Sequence, residues 1–491
     1  MGSGVGELSQ AALLVLALLN AALVVHFYKE CFKLSTLAVK ERVTFSVQSY
    51  LQPPPFGEDA GYELAPNESR PAWLERDEDA DMVMAQGFTA ALGLSPYGNV
   101  HVQTENERLQ LRGARLLQKF MYDKQINACK RGEKVDMYEL PKEHNYGLFS
   151  QTLGIAHSLL DALAHGYVLS WSAYRLLYVD PTRCPSRGLE CLFLPVTSCK
   201  REVHARSVKT DVRNSCVFEM PKRRLHQQPF IVNASDWRDM LPVLRDVTGI
   251  ASLGRPDLFN AHFFAREALR FVTRPNSDLI RVTRDILNTD LRPPEAWYPF
   301  SPSIRRVAVH IRAGSDKKGH TGILGADRYA QFLQSYATLG LEQIMFSSDD
   351  RDSHAQFERS IGNITTNGCA STGARKRVQG KFIHPERFGE GRSMNQDYLY
   401  GVKKNETVPV EVTRPDIGML LMAQSFIFAT ADVFVGLFAS NVALSIMTYM
   451  SALRHTSDIP AFDAAGGPWP ICHQFSEHPL RFIRHPDMTI S

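Results

Sequence analysis

The run Val307 to Ile311, VAVHI, ends in a loop, RAGSDKKGHTG, that is charged and punctuated by glycine. An apolar, β-branched run of this kind reads as a strand. It delivers Arg312, Asp316, Lys317 and Lys318 to the end of a sheet, which is where open α/β sheets bind their ligands. A planar guanidinium grips two phosphate oxygens at once and an ammonium adds a point charge, so the loop suits a diphosphate. A solvated surface loop is the other reading of the same residues.

Strand and helix continue to alternate beyond this loop. A helix from Asp327 to about Leu339 leads to a second strand, QIMFSSDD, which is βαβ grammar. Farther on, IGMLLMAQSFIFATA reads as a buried helix and DVFVGLF as a buried strand. Ala439, Ser440 and Asn441 then open a helix, VALSIMTYM, that Ser440 or Asn441 is placed to cap. A turn of this kind leaves backbone N–H groups and the positive end of the helix dipole facing outward, ready for an anion.

A chain of 491 residues, 44% hydrophobic and 22% charged, fills more than one core, so two globular domains are expected. With 55 basic and 52 acidic residues there is no general field for nucleic acid, and any anion site must be local. The first domain, 101–298, begins with the helix pattern NERLQLRGARLLQKFMYDKQ. Next comes a helix through Ala164, stopped by Gly166, and a strand ending near Trp171, with His157 and His165 as packing or surface residues. HFFAREALRFVTRP, His262 to Pro275, is an amphipathic helix ended by proline. The second domain covers 299–460, and an extension, 461–491, comes after it.

Ahead of these lie two segments of different character. Leu8 to Phe27 is uncharged and close to the roughly 20 residues that span a bilayer, so 1–28 is expected to be a cytoplasmic tip and signal anchor. Residues 29–100, rich in proline and acid, are expected to be a stem. Its DED and DAD at Asp77 to Asp81 have the look of an Asp-x-Asp metal motif, but no strand precedes them, and they are expected to be a solvated acidic run. Lys29, Lys33, Lys40 and Arg42 after the anchor favour a cytoplasmic body by the positive-inside rule. Against them stand sequons at Asn67, Asn233, Asn363 and Asn405, and cysteines crowded at Cys184, Cys191, Cys199 and Cys216 without zinc-site spacing. These favour an oxidising lumen and structural disulfides.

Taken together, three blocks resemble the core α1,6-fucosyltransferases of the animal Golgi and the bacterial enzymes that fucosylate chitin oligosaccharides. HIRAGSDK, His310 to Lys317, is similar to the family's His-Val-Arg-Arg-Thr-Asp-Lys. FSSDD, Phe346 to Asp350, resembles its strand with paired aspartates, and ADVFVGLFASNVAL, Ala431 to Leu444, its strand, serine turn and helix. CLFLPVTSC and RFVTRPNSDL are weaker echoes, so the likeness runs from about 125 to 450 in consistent order.

The resemblance implies a GT-B glycosyltransferase of two Rossmann-like domains, with GDP-fucose held mostly by the C-terminal one. It implies an inverting transfer of fucose to the 6-hydroxyl of the core N-acetylglucosamine of glycoprotein N-glycans, without a metal or other cofactor. Arg312 takes the place of the phosphate arginine, Lys317 and Asp316 of the adjacent pair, and His310 lies against the nucleotide. Ser440 and Asn441 match the helix-turn residues that bind phosphate, and Asp349 and Asp350 lie toward the acceptor. The likeness also implies a Cys129–Cys199 disulfide and a type II Golgi membrane protein with its catalytic domain in the lumen.

The chain departs from the pattern at several places. Ala313 and Gly314 stand where the second arginine would be, and the place of the glutamate base is Thr321, which leaves the base unassigned: the adjacent His320 has a suitable intrinsic pKa and is a candidate, but donation to phosphate suits it equally. The guanine-binding aspartate aligns with Gln424 without a gap and with Asp416 with one. Gly436 and Ala443 replace the cysteines flanking the serine turn, the stem lacks heptads, and no SH3 domain is expected after Met450. The alternative functions are a protein O-fucosyltransferase-like enzyme and an inactive nucleotide- or glycan-binding descendant.

Overall fold

Residue by residue, local chemistry accounts for most of the element ends in the computed structural model of the chain. The structure describes residues 77–95, 97, 104–139, 148–170, 176, 179, 183–199, 207–209, 234–289, 305–312, 325–337, 341–348, 351–361, 365–367, 375–377, 379–382, 417–437, 440–456, 459 and 461–464. The apolar segment Leu8 to Phe27 and the asparagines of all four sequons lie outside them. No helix among the described residues is long and apolar enough to cross a membrane.

The N-terminal half opens with helices α1 (Glu78–Ala85) and α2 (Phe88–Ala91). Helix α3 (Glu105–Tyr122) comes next, started by a capping box in which Thr104 Oγ1 accepts from Glu107 N and the Glu107 carboxylate accepts from Thr104 N. It runs into a π turn, Asp123–Asn127, whose loosened backbone leaves the Gln125 and Ile126 carbonyls to accept from Thr197 and Ser198. Strand β1 (Met137–Glu139), helix α4 (Leu148–Ala164), strand β2 (Val168–Ser170) and strand β3 (Ser207–Lys209) build a parallel sheet in the order β2-β1-β3. Helix α4 ends as expected at Gly166. Its φ of 77° lets Gly166 N and Tyr167 N close back on the Leu163 and Ala162 carbonyls. Helices α5 (Ala234–Val247), α6 (Ala261–Val272) and α7 (Ser277–Thr289) complete this half.

The C-terminal half contains strands β4 (Arg305–Ile311), β5 (Leu341–Ser348), β6 (Thr365–Asn367), β7 (Arg375–Arg377), β8 (Gln379–Phe382), β9 (Val433–Gly436) and β10 (Ala461–Asp463). Between and around them run helices α8 (Ala326–Ala337), α9 (Arg351–Ile361), α10 (Ile417–Phe428) and α11 (Asn441–Arg454). Five of the strands form a wholly parallel sheet in the order β10-β9-β4-β5-β8, and β6 pairs antiparallel with β7. The α/β class and the strand and helix alternation read from the sequence are therefore present.

One face of this sheet, with Val307, Val309, Ile311, Ile344 and Phe346, packs on Tyr329, Leu333 and Phe357 of α8 and α9. The other face, with Ala308, Met345 and Phe434, belongs to a core that continues through α10 and α11 into α4, α6 and α7. No break in the apolar core accompanies the boundary expected near 298, because α10 and α11 cover the sheet on one side and the N-terminal helices on the other. Polar contacts run along the same seam. Tyr449 donates to Thr273, and Ser451 meets both His262 and Arg266.

The stem expectation is corrected at its C-terminal end. Residues 77–95 and Tyr97 are part of the globular fold, and Ala80, Val83 and Met84 are buried because helical spacing sets them on one face of α1. Within the acidic run, Glu78 and Asp79 are solvated as expected, but Asp77 caps α1 through Ala80 N. Asp81 is only 2% exposed, and its carboxylate accepts from Arg115 at 2.7 Å and from the Tyr97 hydroxyl at 2.6 Å. The Cys129–Cys199 disulfide is formed, with a Cα–Cα distance of 5.2 Å, and a second joins Cys184 and Cys191.

Candidate functional site

Chain order fixes where the five-stranded sheet opens. From β4 the chain moves to β5 and on to β8, then returns to the other side of β4 with β9 and β10. The order therefore reverses between β4 and β9, and the crevice beyond the carboxyl ends of those two strands is the place where such sheets bind ligands. Arg312, 8% exposed, comes directly after β4, and the turn after β9 leads through Ser440 into α11.

The start of α11 is where the sequence places an anion site. Ser440 is the N-cap residue, with extended backbone, yet its side chain makes no capping bond. The capping role expected of Ser440 or Asn441 is thus not taken up by either side chain within the helix. The Asn441 amide instead donates to Ser150 Oγ in the first turn of α4. Two helices from opposite halves of the chain therefore meet at their amino ends, and their dipoles place two partial positive charges at one seam. Ser150 was not a sequence candidate. Its helix was legible, but nothing local distinguishes the amino end of α4 from any other helix start.

Inside the crevice, one register row crosses three strands. Gly436 of β9 pairs with His310 of β4, which pairs with Ser347 of β5. Side chains paired across a parallel register point to one face, here the face under α10. Gln424 of α10 lies with its amide nitrogen 3.2 Å from His310 Nδ1. Desolvation, helped by the nearby Arg312 guanidinium, pushes the His310 imidazole down to about 3, so the ring is neutral at physiological pH. His310 Nε2, Ser347 Oγ and Gln424 Oε1 are all buried and have no hydrogen-bond partner among the described residues. Buried polar atoms are nearly always satisfied, and these three lie together where the row meets α10.

Of the residues singled out from sequence, the structure thus brings His310, Arg312, Ser440 and Asn441 to the carboxyl edge of β4 and β9. Asp316, Lys317, His320, Asp349, Asp350 and Asp416 lie outside the described residues. Gln424 occupies the position facing His310. No group of three or more His, Cys, Asp or Glu among the described residues is arranged to hold a metal ion. The Asp81 carboxylate of the acidic run is committed to Arg115 and Tyr97.

No family model matches this chain and no curated protein matches it in sequence. Among solved structures it is similar to the POFUT1 apo-form, at 12% identity and a TM-score of 0.30, covering 67% of this chain and 97% of that chain. It is similar also to POFUT1 in complex with GDP, at 10% identity and a TM-score of 0.28, covering 67% and 98%. With POFUT1 in complex with GDP-fucose it shares 11% identity and a TM-score of 0.30, covering 65% of this chain and 94% of that chain.

Proposed function

We propose that this protein is an inverting fucosyltransferase of GT-B architecture that uses GDP-fucose and no metal. The observation that carries the reading is the convergence of Arg312, the amino end of α11 and the amino end of α4 on the crevice where the strand order reverses. A diphosphate leaving group needs positive charge that is already in place when the bond breaks. Those three elements supply it without a cation.

In this reading the Arg312 fork and the α11 N–H groups hold the β-phosphate as it departs, and Lys317 adds a point charge. An acceptor hydroxyl attacks the anomeric carbon from the opposite side and loses its proton to a base, for which His320 has a suitable intrinsic pKa. Asp316 is the family's aspartate beside that lysine, and Asp349 and Asp350 are assigned to the acceptor or the loop that frames it. His310 lies against the nucleotide, and Asp416 would contribute to the donor site from the segment before α10.

The acceptor we propose is the 6-hydroxyl of the core N-acetylglucosamine of glycoprotein N-glycans, with the catalytic body in the Golgi lumen and the chain anchored by residues 1–28. The test is a donor panel with the purified protein against chitobiose-core glycans and, in parallel, a folded disulfide-rich domain, read by mass spectrometry. Transfer of one deoxyhexose to the glycan in EDTA supports the reading. Transfer only to the folded domain moves the acceptor, and GDP binding without turnover on any acceptor refutes the enzyme. Glycosidase-sensitive mobility of the expressed full-length protein tests lumenal placement.

A further inference from the structure

The short helix α2 reaches both halves of the chain. Phe88, at its start, is wholly buried, with its ring centroid 5.5 Å from that of Phe426 in α10 and 5.1 Å from that of Tyr449 in α11. The Arg270 guanidinium, from α6, lies 6.0 Å from the same ring. One aromatic side chain is thus packed between helices of opposite halves. Gly87 permits the approach, since a Cβ there would come within 3.1 Å of Arg270 Nε.

The flanking segments are tied to both halves as well. On the N-terminal side, Arg274 donates to Gln86 Oε1 at 3.2 Å, Arg284 donates to the Ala90 carbonyl at 3.0 Å, and the Asp81 carboxylate accepts from Arg115 of α3. On the C-terminal side, His455 Nε2 lies 2.6 Å from the Tyr97 carbonyl. A carbonyl only accepts, so the imidazole donates. His455 caps the carboxyl end of α11 with a φ of 50° and is fully buried. A left-handed residue with a Cβ persists only where its surroundings hold it, and the bond to Tyr97 is one such hold.

We propose that the segment from Asp77 to Tyr97 is a strap that couples the two halves, so that the crevice walls carried by α4 and α11 keep one relative position. The effect on a diphosphate rests on the donor-site reading above, whereas the coupling does not. The strap grips α11 at Tyr449 and His455, and at about 1.5 Å per residue Tyr449 is about 12 Å along the helix from Asn441. Its influence on the crevice therefore travels through the helix, not through contact with a ligand.

The experiment follows urea unfolding of the full-length protein by pulsed hydrogen exchange, with peptides from α4 and from β5 reporting the two halves. The wild type should show one midpoint for both. Phe88→Ala should separate the midpoints and weaken GDP binding by about fivefold or more, the low end of coupling between distant sites. His455→Asn keeps a residue that tolerates the left-handed backbone, with a side chain too short for Tyr97, and should do the same to a smaller extent. Leu333→Ala, equally buried but in the core on the other face of the sheet, should lower the midpoint without dividing it. A wild type with two midpoints overturns the proposal, as do strap variants that unfold as one with unchanged GDP affinity, or a midpoint that Leu333→Ala also divides. Divided midpoints with unchanged GDP affinity overturn the strap's claim on the crevice. Should Phe88→Ala fail to fold, Phe88→Leu takes its place under the same criteria. A wild type with one midpoint that binds no GDP refutes the donor-site reading instead.

Discussion

The Asn441 side chain donates to Ser150 Oγ across 291 positions of sequence, so the first turns of α11 and α4 form one edge of the crevice. Each helix brings the positive end of its dipole there, next to the strand that delivers Arg312.

Asn441→Asp separates folding from binding. A carboxylate in the first turn of α11 interacts favourably with the helix dipole, by about 0.3 to 1 kcal/mol. The same charge opposes a diphosphate. Thermal unfolding should show an unchanged or higher midpoint, whereas GDP affinity by calorimetry should fall at least about tenfold, the scale of one lost charge-assisted contact. Equal affinity would remove α11 from the donor site.

Arg312→Lys keeps the charge and loses the fork. Transfer should fall about 100- to 1000-fold, the usual cost of one preorganised donor to a developing anion, with far-UV circular dichroism unchanged. Lys317→Ala should cost less, and Ser440→Ala less again because the backbone N–H groups of the turn remain. Turnover of Arg312→Lys within about twofold of wild type would mean that the arginine does not touch the diphosphate.

Asp81→Asn tests the place of the acidic run. It leaves Arg115, 8% exposed, without the carboxylate 2.7 Å away. Breaking a buried pair by removing one partner costs about 3 kcal/mol or more. A clear drop in the urea midpoint is expected, whereas Asp79→Asn, on the solvated side of α1, should change it by less than about 0.5 kcal/mol. No drop would return the segment to a solvated stem.

Acid should destabilise the fold through its buried histidines. Burial holds His262, His310 and His455 each down to about 3, against an ordinary value of 6.5. Between those values the unfolded chain binds the protons and the folded one does not, so stability rises with pH across that window and is lost as pH falls through it. Each histidine contributes a slope of up to roughly 1.4 kcal/mol per pH unit. Unfolding near pH 5 should therefore take up about three protons from these residues, and His262→Gln should remove one. Midpoints independent of pH between 4 and 6.5 would contradict their burial as neutral rings.

The Cys129–Cys199 bond closes a loop of 70 residues, for which the chain-entropy model predicts about 4 kcal/mol of stabilisation. Cys184–Cys191, with a separation of 7, should contribute about 2. Replacing each pair with serine and comparing urea midpoints should give that order, and non-reducing peptide mapping should recover both linked peptides.

Much of the fold was legible because local chemistry writes it into short windows. Gly166 and the β-branched run of β4 each act within a few residues, and they set element ends close to those observed. The acidic run misled for the same reason. Composition showed its carboxylates, but the partner that buries Asp81 is Arg115, two helices farther on.

By itself the sequence determined the α/β class, the strand that carries Arg312 and the serine turn that opens α11, because periodicity, turn residues and charge act locally. Only the tertiary structure decided that Ser150 meets Asn441, that Gln424 faces His310, and that one core runs through both halves. Those relations depend on strand order and on which face of α10 lies over the sheet, and neither leaves a signal within any single stretch of chain.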